Sequence, residues 1–148
     1  MEYQEKFMKK ALNLAGKAYS TDEVPVGAVI VLNGKVLACG YNQREHKNDA
    51  TAHAEILAIR AACRKLKDFR LTGADLYVTL EPCAMCMGAI LNSRLDNLYF
   101  GASATGTLVS AAELALRAGL NHVTNVSGGY LEKECSNLIS GYFKSKRK

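Results

Sequence analysis

The sequence lacks the features that would place it outside the ordinary single-domain proteins. It has no tryptophan, and with only two prolines among 148 residues no proline-rich linker divides it. No apolar run approaches the length needed to span a bilayer, and Met1-Glu2-Tyr3 does not begin a secretory signal. Internal repeats and low-complexity segments are also missing. We therefore expect a single domain over residues 1–148, located in the cytoplasm and without a membrane partner.

A disulfide framework is also excluded. The five cysteines are an odd number, and nothing in the sequence points to an oxidising compartment. Cys39, Cys63 and Cys135 lie in apolar or helical surroundings, so they are expected to be small buried hydrophobic residues. The pair Cys83 and Cys86 is different, because its close spacing suits metal binding or redox chemistry.

The composition is that of an ordinary globular protein with a moderately basic surface. Hydrophobic residues make up 49% and charged residues 22%, a balance typical of soluble domains. The formal net charge of +5 suits a polyanionic partner without demanding one. Part of this charge is concentrated in the basic end, Lys144-Ser145-Lys146-Arg147-Lys148.

Hydrophobic periodicity predicts alternating strands and helices after an opening hairpin. Asn33-Gly34 is a strong two-residue turn signal for that hairpin. The expected strands are Gly27–Leu32, Lys35–Tyr41, Asp75–Leu80, Asn97–Gly101 and Val123–Ser127. The expected helices are Glu2–Tyr19, Ala54–Leu66, Ala84–Asn92, Thr107–Arg117 and Leu131–Lys146. This order predicts an α/β fold with three αβα layers around a mixed five-stranded sheet.

Two short motifs carry the chemistry. His53-Ala54-Glu55 is followed, thirty positions after its histidine, by Cys83 of Pro82-Cys83-Ala84-Met85-Cys86. One imidazole and two thiolates suit Zn²⁺, and three protein ligands leave a fourth position open for a water. H-x-E followed by P-C-x-x-C is the general signature of zinc deaminases that act on bases. We therefore expect one zinc ion per subunit, held by His53, Cys83 and Cys86, with Glu55 as the catalytic residue.

Helix geometry sets a condition on these motifs. Positions two apart point to different sides of a regular helix, so His53 and Glu55 can reach one site only where a helix begins. Pro82 is a good opener for the second helix. Leu80 ends one predicted strand and Asn42 follows another, so both lie at the carboxyl ends of strands, where α/β proteins form their sites.

The cysteine pair has two other interpretations. A lone C-x-x-C is also typical of thioredoxin-like redox pairs. A closed structural zinc would need a fourth ligand, for which Cys39, Cys63, Cys135, His46 and His122 are available, but none of them has a second close-spaced partner. In a noncatalytic zinc protein Glu55 would have no role. Catalytic zinc is therefore favoured.

Longer segments resemble the bacterial tRNA-specific adenosine deaminase family, within the cytidine-deaminase-like superfamily. They are Val24–Ala28, Thr51–Ile56, Leu76–Cys86, Ser93-Arg94, Tyr99–Ala102, Asn121-His122, Glu134-Cys135 and Tyr142-Phe143. The resemblance implies a homodimer with a cytidine-deaminase-like fold. It further implies that the substrate is a tRNA anticodon stem-loop, in which the wobble adenosine is converted to inosine.

The resemblance also implies roles for individual residues. His53, Cys83 and Cys86 would bind zinc, and Glu55 would move protons between water and the base. Asn42 resembles the residue that hydrogen-bonds the flipped base, and Asn121 the one near its sugar and phosphate. Apart from the resemblance, the backbone N–H groups at the helix starts near Ala54 and Cys83 are candidates for orienting the base or the zinc-bound oxygen. Val26 and Leu80 are expected to line the same pocket. Glu81 is expected to bond nearby backbone or a cation, with no catalytic role.

One segment departs from the family pattern. After Phe100-Gly101-Ala102 the family continues with an acidic residue and a lysine, whereas Ser103–Val109 has neither and is shorter. Contacts with phosphates and 2′-hydroxyl groups recognise RNA, so this departure leaves a second hypothesis open. That hypothesis is a deaminase of a free nucleobase or nucleoside, namely guanine, cytosine or a modified purine.

Overall fold

A computed structural model describes residues 1–104, 110–117 and 122–147. Five strands form one mixed sheet in the order β2-β1-β3-β4-β5. The strands are β1 (Gly27–Leu32), β2 (Lys35–Tyr41), β3 (Ala74–Leu80), β4 (Asn97–Ala102) and β5 (Asn125–Gly128). The helices are α1 (Glu5–Ser20), α2 (Ala54–Leu66), α3 (Ala84–Asn92), α4 (Ala111–Arg117) and α5 (Glu132–Lys146).

The directions of the strands follow from their connections. The β1–β2 hairpin turns at Asn33-Gly34, where both residues have positive φ, 53° and 75°, as a tight hairpin turn requires. β1 is also antiparallel to β3, whereas β3, β4 and β5 run parallel to one another. Because β1 is antiparallel to both β2 and β3, the carboxyl ends of β2 and β3 lie at the same edge of the sheet. The segments that follow these two strands carry the two motifs.

Each face of the sheet is covered by helices. Alternating residues of the central strands point to opposite sides: Ile30 and Val78 pack in the core that includes residues of α2, α3 and α4, while Val29 and Tyr77 pack in the core with α1. α5 contacts β3 and β4, with Cys135 in the second core. The three-layer α/β architecture predicted from the sequence is thus confirmed.

Glycines let two helices lie very close to the sheet. A Cβ placed on Gly40 of β2 would lie 2.7 Å from the carbonyl oxygen of Ala54 and 3.0 Å from the backbone nitrogen of Ala58. Gly27 of β1 is in the same situation beneath α1. Any side chain at Gly40 would have to displace α2, the helix that begins with the His53 motif.

The predicted bounds of three elements were wrong. α1 begins at Glu5 instead of Glu2, because the backbone N–H of Gln4 donates to the hydroxyl of Tyr77 at 2.9 Å. α4 begins at Ala111 because the Ser110 hydroxyl accepts the N–H of Glu113, while residues 107–109 lie outside the described residues. β5 begins at Asn125 instead of Val123, since the Thr124 hydroxyl bonds the carbonyl oxygen of Leu95.

The other bounds agree with the prediction to within one residue, but one burial expectation was wrong. Cys39 is exposed, because it lies on the edge strand β2 with its side chain on the face opposite Ala38 and Gly40, which pack beneath α2. Cys63 is half-buried and Cys135 is buried. Within the described residues, none of the helices combines the length and apolar character that crossing a bilayer would take.

Candidate active site

The structure brings the imidazole and the two thiols of the motifs together. His53 immediately precedes α2, and Cys83 immediately precedes α3, so each is the N-cap residue of its helix. The Nδ1 atom of His53 lies 3.8 Å from the Sγ atom of Cys83 and 3.6 Å from that of Cys86. All three ligand atoms lie within 4.8 Å of one another.

These distances fit a single zinc ion. Tetrahedral angles with Zn–N and Zn–S bonds of about 2.0 and 2.3 Å place nitrogen and sulfur ligands about 3.5 Å apart. The two N–S separations in the structure, 3.8 and 3.6 Å, are close to this value, so the three side chains are already grouped to bind one ion. The donor set is also chemically suited to zinc, since it joins a borderline imidazole with two soft sulfurs.

Hydrogen bonds within the cluster prepare one of its sulfurs as a thiolate. A bond from the Cys86 thiol and a second from His53 lower the pKa of Cys83 to about 3. The same bond to Cys83, together with burial, raises the pKa of Cys86. The pKa of His53 is raised, first by its bond to Cys83. A divalent cation at the centre would replace the remaining thiol proton.

Glu55 is a buried carboxyl group beside this cluster. It is the second residue of α2 and is only 4% exposed. Burial disfavours the charged form and raises the pKa of Glu55 to about 7. A carboxyl group in this environment can both accept and donate a proton near neutral pH.

A cavity of about 270 Å³ opens onto Glu55 and the cluster. It includes six of the residues that the sequence predicted for the site: Val26, Asn42, His53, Glu55, Leu80 and Cys83. Cys86 is fully buried behind His53 and Cys83. Asn121, predicted to lie near the sugar and phosphate, is outside the described residues.

Asn42 and Ala54 are joined to each other. The side-chain oxygen of Asn42 accepts the backbone N–H of Ala54 at 2.8 Å, and both residues are buried. The amide of Ala54 therefore already has a partner within the chain, and its predicted contact with a base stays a prediction. The NH₂ group of Asn42 is the polar group left to face the cavity.

Five further residues line the cavity: Val24, Arg44, Glu81, Ala104 and Phe143. Arg44 is exposed and lies in the connection between β2 and α2. Phe143 comes from α5, more than fifty residues after the cysteine motif. Tyr142-Phe143 belongs to the family resemblance, but nothing in the sequence indicated that Phe143 lines the cavity. Its ring is 43% exposed at the mouth of the cavity.

Glu81 lines the cavity and binds the backbone beside it. Its two carboxylate oxygens accept the backbone N–H groups of Ala104 at 3.0 Å and Ala111 at 2.9 Å. The expectation that Glu81 bonds nearby backbone is thus confirmed. Most of Ser103–Val109, the segment that departs from the family pattern, follows Ala104 and precedes Ala111 in sequence. Residues 105–109 are outside the described residues.

Comparison with known proteins agrees with this geometry. Residues 1–102 match the family model of the cytidine and deoxycytidylate deaminase zinc-binding region. The tRNA-specific adenosine deaminase of Bacillus subtilis is 44% identical over 100% of this chain and 93% of its own length. A solved structure from studies of A-to-I editing by tRNA:A34 deaminases is also 44% identical, covers 91% of this chain and 99% of its own, and has a TM-score of 0.86. The guanine deaminase of Bacillus subtilis is 37% identical over 80% of this chain and 71% of its own, with a TM-score of 0.65.

The fold and the metal-binding cluster therefore define a zinc-dependent deaminase, a hydrolytic enzyme of the cytidine and deoxycytidylate deaminase class. Within that class, the full-length similarity places the chain in the tRNA-specific adenosine deaminase family.

Proposed function

We propose that this protein hydrolytically deaminates the wobble adenosine of a tRNA anticodon stem-loop, which converts it to inosine. The observation that carries the proposal is the placement of His53, Cys83 and Cys86 beside the buried carboxyl group of Glu55, at the base of a cavity open to the surface. Relatives that share the whole length of the chain are tRNA-specific adenosine deaminases, which supports adenosine in tRNA as the substrate.

In this proposal the two N-cap residues and Cys86 hold one zinc ion per subunit. Zinc bound to such a set acts as a Lewis acid and lowers the pKa of a water molecule toward about 7. The chain supplies the remaining chemistry. Glu55 takes one proton from the attacking water and gives it to N1 of the base while oxygen bonds to C6. Glu55 then moves the second proton to the amino group, which leaves as ammonia.

The size of the cavity favours a single base as its occupant. Pockets for drug-sized ligands span roughly 300 to 1,000 Å³, and this cavity of about 270 Å³ lies just below that range. A base flipped out of an RNA loop fits this description, with its sugar and phosphates left outside the cavity. The exposed guanidinium of Arg44 at the mouth would attract those phosphates.

A free-base deaminase is the second candidate function, because Ser103–Val109 lacks the family's charged loop residues. The two functions are separated by incubating the zinc-loaded protein with an arginine-tRNA anticodon stem-loop and, separately, with free adenosine, guanine and cytosine. Nucleoside products are measured by liquid chromatography and mass spectrometry. We expect inosine from the stem-loop only, and turnover of a free base would overturn the proposal.

Salt dependence gives an independent measurement. Binding to a polyanion weakens steeply as the salt concentration rises, whereas binding of an uncharged base barely changes. We expect the KM for the stem-loop to rise steeply between 50 and about 200 mM salt. A KM that is flat over this range would contradict recognition of the RNA backbone.

We further propose a homodimer that uses the outer face of α3. Met85 is 38% exposed on this face, and Gly88 has open space where a Cβ would point. Gly88→Arg should convert a dimer to a monomer in light scattering. Gly16→Arg on α1 is the matched control, because it also has open space and lies on the other face of the sheet. A monomeric wild type, or two variants that behave alike, would contradict the assignment.

We also propose that residues 1–148 form one deaminase domain and that the protein acts in the cytoplasm, where its tRNA substrate is found. The odd number of cysteines, five, supports a reducing compartment.

A further inference from the structure

We propose that Glu23 is a positioning residue that fixes the rim loop, defined as residues 43–49, at the mouth of the active-site cavity. Through this loop, Glu23 would set the place of Arg44 relative to an incoming anionic substrate. The inference rests on the proposed function for the identity of that substrate. Glu23 lies in the connection between α1 and β1, and it does not line the cavity that contains Glu55.

Glu23 is a buried carboxylate with three bonds to the rim loop. Its side chain is 2% exposed. One oxygen accepts the backbone N–H of Glu45 at 3.1 Å, and the other accepts the backbone N–H of His46 at 2.9 Å. The second oxygen also lies 2.7 Å from the Nδ1 atom of the His46 ring. Hydrogen bonds to an ionised carboxylate are stronger than those between neutral groups.

The rim loop is closed on itself. The backbone N–H of Lys47 donates to the carbonyl oxygen of Gln43 at 3.0 Å, and that of Asp49 donates to the carbonyl oxygen of Arg44 at 3.0 Å. These bonds make the loop one unit. The ends of the loop are tied to Ala52, whose carbonyl oxygen accepts the N–H of Gln43 and whose N–H donates to the carbonyl oxygen of Asp49. Among the hydrogen bonds of the described residues, only those to Glu23 join residues 44–48 to another part of the chain.

Glu23 is in turn held in place by two helices. Its backbone N–H donates to the carbonyl oxygen of Ala18 in α1 at 2.9 Å. At the preceding residue, the hydroxyl of Tyr142 in α5 donates to the carbonyl oxygen of Asp22 at 3.3 Å, and Lys146 forms an ion pair with the Asp22 carboxylate. The Glu23 carboxylate therefore connects the rim loop to the place where α1 and α5 are joined through Asp22 and Glu23.

The consequences of losing this connection should fall on binding and not on chemistry. Arg44 is in the unit that Glu23 holds, and it lines the mouth of the cavity. His53 and Glu55 are carried by α2 instead, whose start is tied separately by the bond from Ala54 to Asn42. A displaced rim loop would move a cation away from the substrate phosphates while the reacting groups keep their places.

The experiment compares steady-state kinetics of Glu23→Gln and wild type on the anticodon stem-loop. Glutamine has the shape of glutamate but turns an NH₂ donor toward one of the two backbone N–H groups. Loss of a charge-assisted bond of this kind predicts a rise in KM on the order of tenfold, with kcat within about twofold. Zinc content should stay at the wild-type level.

Asp75→Asn is the matched control. Asp75 is also 2% exposed and accepts a hydrogen bond from Asn97 at 2.8 Å, but it lies at the start of β3, away from the cavity. This variant should lower thermal stability and leave KM unchanged. If Glu23→Gln does not fold, Glu23→Asp keeps the charge but is too short for all three contacts, and the same rise in KM is expected.

The outcomes separate this inference from the proposed function. A wild-type protein that makes no inosine from the stem-loop overturns the function. A wild-type protein that does so, together with an unchanged KM in the Glu23 variant or an equal change in Asp75→Asn, overturns the inference alone. Hydrogen exchange provides a reading without substrate, since the amides of Glu45 and His46 should exchange faster in Glu23→Gln but not in Asp75→Asn.

Discussion

The side-chain oxygen of Asn42 accepts the backbone N–H of Ala54 at 2.8 Å. Asn42 is the first residue after β2, and Ala54 is the first residue of α2. The bond therefore closes the twelve-residue connection that includes the rim loop, and it orients the side chain of Asn42 at the same time. With its oxygen engaged, Asn42 presents a hydrogen-bond donor to the cavity.

Asn42→Asp tests that orientation. An aspartate can still accept the N–H of Ala54, but it offers the cavity an acceptor where asparagine offers a donor. We expect kcat/KM to fall by about 10- to 100-fold with zinc content unchanged, since a buried polar group of the substrate would lose its partner. Asn13→Asp on the exposed side of α1 is the control. Equal kinetics for wild type and Asn42→Asp would remove Asn42 from the binding site.

Glu55→Gln tests the proton transfer. Glutamine keeps the shape of the side chain but cannot carry the proton, so turnover should fall by at least about 10²- to 10⁴-fold. Folding should be retained, because the variant removes a carboxyl group whose burial raises its pKa to about 7. Zinc content and the unfolding temperature are measured on the same sample. Residual activity within tenfold of wild type would show that another group moves the proton.

Removal of a metal ligand should abolish zinc binding and activity together. An open site with three protein ligands cannot lose one and keep its affinity, so Cys86→Ala should purify with little zinc. Cys39→Ala is the matched control, because Cys39 is an exposed thiol outside the cluster. Metal analysis and the inosine assay are run in parallel. Stoichiometric zinc in Cys86→Ala would contradict the proposed ligand set.

The Glu23 carboxylate should stabilise the folded protein near neutral pH and lose this contribution in acid. Burial acts to raise the pKa of Glu23, but the bonds from His46 and Glu45 outweigh it and hold the pKa below its usual value of 4.5. A group whose pKa is lower in the folded state stabilises the protein above its unfolded pKa and loses this contribution as the pH falls through the folded value.

The measurement is urea unfolding of wild type and Glu23→Gln between pH 3 and 6. We expect the difference in unfolding free energy to be constant at the upper end and to shrink below about pH 4.5, because Glu23 becomes protonated there. The other carboxyl groups titrate in both proteins, so their effect cancels in the difference. A difference in unfolding free energy that does not change with pH would mean that the negative charge of Glu23 does not contribute to stability.

Local signals explain what could be predicted from the sequence. The Asn33-Gly34 turn fixed the hairpin to the residue, and the bounds of α2 and α3 were also predicted correctly. The H-x-E and C-x-x-C motifs identified the cluster because their chemistry depends on residue types and short spacings. The motif positions also predicted that both ligand segments would begin helices, as they do.

Tertiary contacts explain the errors and omissions. The start of α1 is displaced by a bond from Gln4 to a tyrosine more than seventy residues away, which no local pattern could indicate. Phe143 and Val24 reach the cavity only because α5 and the segment before β1 pack beside it. The apolar surroundings of Cys39 in the sequence predicted a buried side chain, but Cys39 is exposed because its strand, β2, lies at the edge of the sheet.

Because Gly40 packs against α2, the position of the metal cluster depends on a residue that is not itself a metal ligand. The helix that begins beside His53 rests on a backbone without a side chain, with 2.7 Å between the position of a Cβ and the carbonyl oxygen of Ala54. Even a single methyl group there should displace the start of α2, and His53 with it. A random mutagenesis screen for inactive enzyme should therefore recover Gly40 together with Glu55, although only one of them takes part in the reaction.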